Sequence, residues 1–231
     1  MSGQAQRAGF VLAATGLRAE ARIAARVPQV RAVAGGGDSG RLERLLRREI
    51  AESAKAIVSL GIAAGLAPGK RPGTCVVARE IAHADIRYPT DQAWAERLRT
   101  VISDTELATI AGVDRPLQSP AEKHALYAAT GAVAADMERH IAARIAAEHG
   151  LPFATLRVIA DPAIRAVPPA ALAGMGKDGR VNVWAVMASL ARDPGQLPAM
   201  ISLAADTRRA MSELFRCHRL LGPGFGFFDL G

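Results

Sequence analysis

The chain has 231 residues, half of them apolar and 4% aromatic, with a formal charge of +7. That length suits one α/β domain, the apolar half is enough for a full core, and the low aromatic content makes that core one of Ala, Val, Leu and Ile. Cys75 and Cys217 are too few and too far apart in sequence for a disulfide scaffold or a zinc site, and the apolar run Phe10–Leu17 is about half what a membrane span needs, so a reducing cytoplasm is expected.

Gly9–Thr15 reads as a first strand, Gly16 as its turn, and Leu17–Val27 as a helix with Glu20 in its first turn. Val30–Ala34 is a second strand running into Gly35-Gly36-Gly37, with Asp38 placed to cap a helix over Arg41–Ala54. Ala56–Leu60 is a third strand, ended by Gly61 and followed by Ile62-Ala63-Ala64-Gly65-Leu66. After the turn Pro68–Gly73 come a fourth strand, Thr74–Ala78, a sheet-edge excursion over His83–Tyr88, a helix Asp91–Ser103 and a strand Leu107–Ala111. The loop Gly112–Leu117 leads to Ser119-Pro120-Ala121-Glu122, which has the form of a capping box with Pro at the first helical position of Pro120–Ala129.

The stretch Thr130–Asp161 carries the most chemistry. Ala132–Asp136 is a short apolar strand that ends in the acidic pair Asp136 and Glu138 around Met137. Ile141, Ala142, Ile145 and Ala146 recur at helical spacing, and Gly150 and Pro152 stop the helix. Phe153–Ala160 is an apolar strand broken only by Arg157, and it ends on Asp161-Pro162. Two parallel strands joined by a helix bring their C-terminal ends to one sheet edge, where open α/β sheets bind ligands. Glu138 and Asp161 are therefore expected in one crevice, although each alone is as readily a cap or turn residue.

Beyond Asp161 the prolines Pro162, Pro168 and Pro169 mark a loop, and Ala170–Met175, Val181–Arg192 and Leu197–Leu221 read as helices. The end, Gly222–Gly231, holds Phe225, Phe227 and Phe228 among glycines. Strand-end glycines let an anion approach backbone N–H groups, but neither a Walker loop nor a dinucleotide fingerprint is present. His83, His124, His140, His149 and His218 show no metal spacing and read as ordinary surface or helix residues. No serine sits in a nucleophile elbow. Scattered arginines and few aromatics argue against a nucleic-acid groove.

In this order the pieces resemble the purine/uridine phosphorylase superfamily, which includes the methylthioadenosine/adenosylhomocysteine nucleosidases. The resemblance is carried by Gly16–Glu20, Gly35-Gly36-Gly37, Gly61–Leu66, Asp136-Met137-Glu138 and Arg157–Asp161. The Met-Glu pair followed by a strand-end Asp is its most specific part. The wording of GLRAEARIA, GGGDSGRL, TGAVAADMERHIAARIAAEHGLPF and RVIADPAIRAVPPAAL is most similar to the hopanoid-associated phosphorylase branch.

The resemblance implies a three-layer α/β/α sandwich around a twisted mixed sheet, assembled as a homo-oligomer. It implies cleavage of a purine N-glycosidic bond, in this branch the release of adenine from adenosylhopane, a nucleoside with a hydrophobic 5′ substituent. Asp161 is then the general acid at the purine N7. Glu138 and Met137 hold the ribose, Glu20 orients an attacking water, and Gly61, Ile62 and Leu117 border the nucleoside. No metal or organic cofactor is implied; inorganic phosphate would be the co-substrate of a phosphorylase, held by Gly16, Gly35, Gly36 and Arg41. Ile62 stands where phosphorylases place a hydroxyl side chain. The branch and the glycine turn favour phosphorolysis, Glu20 favours hydrolysis, and the balance leans to phosphorolysis. A non-catalytic nucleoside sensor on the same fold is the alternative; it could dispense with Asp161. A lipid-like substrate further implies peripheral contact with the inner membrane surface, through the arginines after Asp161 and the terminal Phe residues, unless that tail folds onto an outer helix.

Overall fold

The computed structural model describes residues 9–137, 139–176 and 180–229. The strands are β1 (Phe10–Thr15), β2 (Val30–Ala34), β3 (Ala54–Gly65), β4 (Cys75–His83), β5 (Ile86–Pro89), β6 (Glu106–Gly112), β7 (Ala134–Asp136) and β8 (Phe153–Asp161). The helices are α1 (Arg18–Ala24), α2 (Ser39–Ile50), α3 (Gln92–Val101), α4 (Pro120–Thr130), α5 (Arg139–Glu148), α6 (Pro169–Ala173), α7 (Val183–Arg192) and α8 (Leu197–Leu220).

All six residues of β1 are buried, as expected of a strand covered on both faces. Alternation divides it: Phe10, Leu12 and Ala14 join Leu42 and Leu46 of α2 and Ile141 and Ile145 of α5. Val11 and Ala13 join Ala24 of α1, Trp94 and Leu98 of α3, and Ala210 and Leu214 of α8. Helices therefore cover both sides of one sheet, which gives the three layers. Local signals set the helix starts. Asp38 Oδ1 accepts from the Arg41 N–H at 2.9 Å and Asp91 Oδ1 from the Trp94 N–H at 2.8 Å. Ser119 and Glu122 complete the capping box reciprocally.

The sheet is mixed. β3 pairs in parallel with β1 and β8 and antiparallel with β7; β4 pairs in parallel with β6 and antiparallel with β5 and β8; β6 and β7 run parallel. The strands β3, β8, β4, β6 and β7 thus close a circuit, with β1 and β2 extending outward from β3 and β5 from β4. Two expectations are corrected. β7 and β8 are not a parallel pair joined by a helix: β7 runs antiparallel to β3 and β8 parallel to it. With three residues, β7 serves as the seam between β3 and β6. Nor does Gly61 end the third strand, because β8 pairs with β3 from Ile57 to Ala64 and holds it extended through the glycine.

The C-terminal turns Pro223–Asp229 fold onto α3. Phe225 is buried, its carbonyl accepts from Trp94 Nε1 at 2.9 Å, and the Phe227 ring lies 5.0 Å from the Trp94 ring. Among the described residues no helix is long and apolar enough to cross a membrane. The fold also pairs residues that are distant in sequence. Cys75 on β4 and Cys217 on α8 are free and buried with their sulfurs 3.4 Å apart. The contact with Cys217, then burial, keeps the Cys75 thiol protonated well above its ordinary range. His140 is a helix residue of α5 that faces inward. It is buried, stacked on His83 at 3.9 Å, with Nε2 3.3 Å from Asp114 Oδ1, and burial above all pushes its pKa down to about 4.

Candidate active site

The site is built along β3 between Ser59 and Ala64. Glu20 lies in the first turn of α1, and its carboxylate turns back on the helix start: Oε2 accepts from the Gly16 and Leu17 N–H groups at 3.0 and 2.8 Å. Oε1 reaches across to β3 and accepts from the Ile62 N–H at 2.8 Å. The residue is only 3% exposed. Burial raises its pKa, against the pull of the Leu17 and Ile62 N–H groups and the charge of Arg157, and the net shift is upward. Gly61 makes this approach possible. Its φ is +156°, and a Cβ there would stand 2.7 Å from Glu20 Oε1. Gly61→Ala is therefore expected to displace the Glu20 carboxylate and to lower turnover by about tenfold or more, since misplacing a group by about 1 Å can cost a hundredfold. Unchanged steady-state kinetics in that variant would remove Glu20 from the reaction.

Arg157 of β8 lies opposite Gly61 in register and is buried. Its Nε donates to Asp136 Oδ2 at 2.6 Å, one terminal nitrogen to Ser59 Oγ at 2.6 Å and the other to the Leu156 carbonyl at 2.8 Å. That guanidinium joins β3, β7 and β8 and supplies a positive charge near Glu20. Four residues on, Asp161 ends β8 opposite Ala64. Its Oδ2 accepts from Lys123 Nζ of α4 at 2.6 Å, and the same ammonium donates to the carbonyls of Pro162 (3.0 Å) and Arg165 (2.8 Å). Lys123 is fully buried, whereas the Asp161 side chain keeps 14% of its surface exposed. Burial raises the Asp161 pKa, and Lys123 opposes it without reversing the direction.

Sequence reasoning did not single out Lys123, Ser59 or the Arg157–Asp136 pair. Arg157 was visible as the one polar break in an apolar strand. Lys123 carries no such signal, because one turn into a capped helix a lysine usually faces water.

The other expected residues fall around this line. Met137 follows β7, and its Cε lies 3.4 Å from where a Cβ on Gly37 would stand, which brings the end of β7 against the glycine turn after β2. In that turn the Gly35 N–H donates to the Thr15 carbonyl and the Gly36 N–H to the Gly16 carbonyl, both at 2.9 Å. Arg41 is in the first turn of α2, its side chain half-buried. Leu117 packs with Leu66, Ala111 and Ala135 beside the end of β3, where Tyr127 also lies. Glu138 lies outside the described residues, so the structure does not place the expected ribose carboxylate.

Two carboxyl groups of raised proton affinity, Glu20 held by the Gly16, Leu17 and Ile62 N–H groups and Asp161 by Lys123 of α4, meet neighbouring stretches of β3 and form a constellation able to move protons. Comparison with known proteins agrees with the architecture. The chain superposes on the 5′-methylthioadenosine/S-adenosyl homocysteine nucleosidase of Helicobacter pylori with a TM-score of 0.69 at 13% identity, covering 91% of this chain and 96% of the other. The futalosine hydrolase of Helicobacter pylori gives 0.68 at 13%, with the same coverages. The corresponding nucleosidase of S. pneumoniae gives 0.63 at 14%, covering 92% and 99%. These likenesses are of fold. A search of curated proteins finds no sequence match. The sequence profile of the phosphorylase superfamily matches residues 29–190, most of the chain and all of β2 through β8, and the chain therefore belongs to the phosphorylase superfamily.

Proposed function

We propose that the chain breaks the N-glycosidic bond of a purine nucleoside, with Asp161 as the general acid. What carries this reading is the Asp161–Lys123 pair at the end of β8. A carboxyl group whose proton affinity is raised by burial is aimed by an ammonium that has no freedom of its own. Lys123 holds Oδ2, and Oδ1 carries the proton to N7 of the leaving base as the C–N bond lengthens. Positive charge builds on the ribosyl group, and a nucleophile completes the exchange. The named activities of the structural relatives, a methylthioadenosine/adenosylhomocysteine nucleosidase and a futalosine hydrolase, are of the same kind.

For the nucleophile, the geometry supports water over phosphate and shifts the balance from the sequence reading. The N–H groups of Gly16, Gly35 and Gly36 already donate to Glu20, Thr15 and Gly16. Of the four residues expected to hold phosphate, Arg41 alone then brings a side chain to the task. Glu20, with a raised pKa, is suited to take a proton from water.

The finer reading is that the nucleoside is adenosylhopane, cleaved by a cytoplasmic homo-oligomer that visits the inner membrane surface. Its support is the resemblance to the hopanoid-associated branch and the apolar surface after Asp161, beginning at Ile164, which is 82% exposed. Incubation with adenosine analogues, with and without phosphate, followed by identification of the sugar tests the reaction. Adenine and a free ribosyl product in phosphate-free buffer are expected. A ribosyl 1-phosphate formed only with phosphate would replace water by phosphate, and no adenine from any analogue would overturn the proposal.

A further inference from the structure

α7 is apolar nearly all round. Residues 181–191, VNVWAVMASLA, hold no charge, with Arg180 before them and Arg192 after. The inner face, Ala185, Val186, Ser189 and Leu190, is half-buried, and Val186 sits against Gly174 beyond α6. The outer face, Val183, Trp184, Met187, Ala188 and Ala191, repeats at helical spacing and is exposed, Trp184 by 85%. Met175, Val181, Leu197, Ile201 and Ile164 are exposed too. A helix apolar on every side belongs in a core or in lipid, and single chains seldom leave so much contiguous apolar surface in water without a use.

Charge decides between a bilayer and a second copy. Arg192 at the end of α7 is exposed beside Asp193, Arg208 and Arg209 are exposed further on, along α8, and the chain as a whole carries +7. A contact between two copies sets one basic chain against another, whereas anionic headgroups would neutralise the charge. Ten residues of helix reach about 15 Å, enough to lie in the interface and too short to cross.

We propose that the outer face of α7, with the start of α8 and the loop at Ile164, docks on an anionic bilayer surface. A nucleoside whose 5′ substituent stays in the lipid would then reach Asp161, three residues before Ile164, without leaving the membrane. Only this last step rests on the cleavage proposed above. The expected membrane contact thereby moves from the terminal Phe residues, of which Phe225 is buried, to α7.

Trp94 is buried and Trp184 is the second of the two tryptophans, so a change in emission on adding vesicles reports on α7. The full chain is mixed with phosphatidylcholine vesicles, with or without phosphatidylglycerol, and followed by fluorescence and co-sedimentation. A blue shift and pelleting with the anionic vesicles are expected. Pelleting should fall about tenfold or more in Trp184→Glu/Met187→Glu, while cleavage of a water-soluble adenosine analogue is unchanged. Circular dichroism checks that this surface variant is folded. Absence of both signals in the native chain, equal pelleting by the variant, or a variant that merely converts dimer to monomer in sedimentation velocity would overturn the docking. Cleavage of the soluble analogue without vesicle binding defeats the docking alone. Vesicle binding lost in the variant, with no nucleoside cleaved, upholds the docking and defeats the proposed reaction.

Discussion

Asp161→Asn is expected to lower the rate of adenine release by about a hundredfold or more, the usual scale for a lost acid–base group, and to leave the chain folded. The amide oxygen of Asn can still accept from Lys123, so the ammonium keeps three acceptors, including the carbonyls of Pro162 and Arg165. What disappears is the proton that the proposed mechanism assigns to Asp161. Lys123 also loses its counter-charge, so some stability goes with it, but Asp161 is the more exposed partner and the carbonyls stay in place. The measurement is the single-turnover rate of adenine release beside a urea melt. A rate within a few-fold of the native one would exclude Asp161 as the acid and leave the pair a structural clamp.

Arg157→Met is expected to act on stability instead, at roughly 3–5 kcal/mol, the cost of breaking a buried ion pair from one side. Methionine fills part of the volume but cannot donate to Asp136, Ser59 and the Leu156 carbonyl at once. The Asp136 carboxylate would keep its charge and lose the donor 2.6 Å away. Arg157→Lys should rescue only part, because an ammonium is a point charge and the three acceptors lie around a planar fork. Glu20 would feel the loss as well, since Arg157 is among the groups that draw its pKa down. Urea unfolding at neutral pH reads the effect. A loss below about 1 kcal/mol, the scale of exposed pairs, would show that the three strands do not depend on this side chain.

Strand and helix existence was legible in the sequence because most of these elements carry their own signals. β2 runs from Val30 to Ala34 as expected, and Asp38, Asp91 and Ser119 stand where their helices begin. The layers were expected from the family resemblance, and β1, buried on both faces, accounts for them. Less legible was anything decided by partners far along the chain. Gly61 looks like a terminator until β8 is laid beside it. The sense of β7 depends on β3 and β6, not on the helix that follows it. At the candidate site, Asp161 was visible as a carboxylate at a strand end, and Glu20 through the family resemblance. Lys123 was not, because nothing around it in sequence distinguishes a lysine buried against the end of β8, 38 residues on. Cys75 and Cys217, separated by 142 positions, were hidden for the same reason.

The placement of so many groups along β3 bears on how the molecule tolerates motion. Ser59 meets Arg157, Ile62 meets Glu20, and Ala64 meets the residue proposed as the acid. These stations span about 17 Å of one extended segment, and each is gripped through backbone or short side chains. Thermal displacement of β3 carries its attachments with it, so their mutual spacing varies less than the position of any one of them in the domain. The strand works as a shared rail. Rigid drift along it leaves that spacing unchanged, whereas a change of length between stations, such as an inserted or deleted residue, alters it.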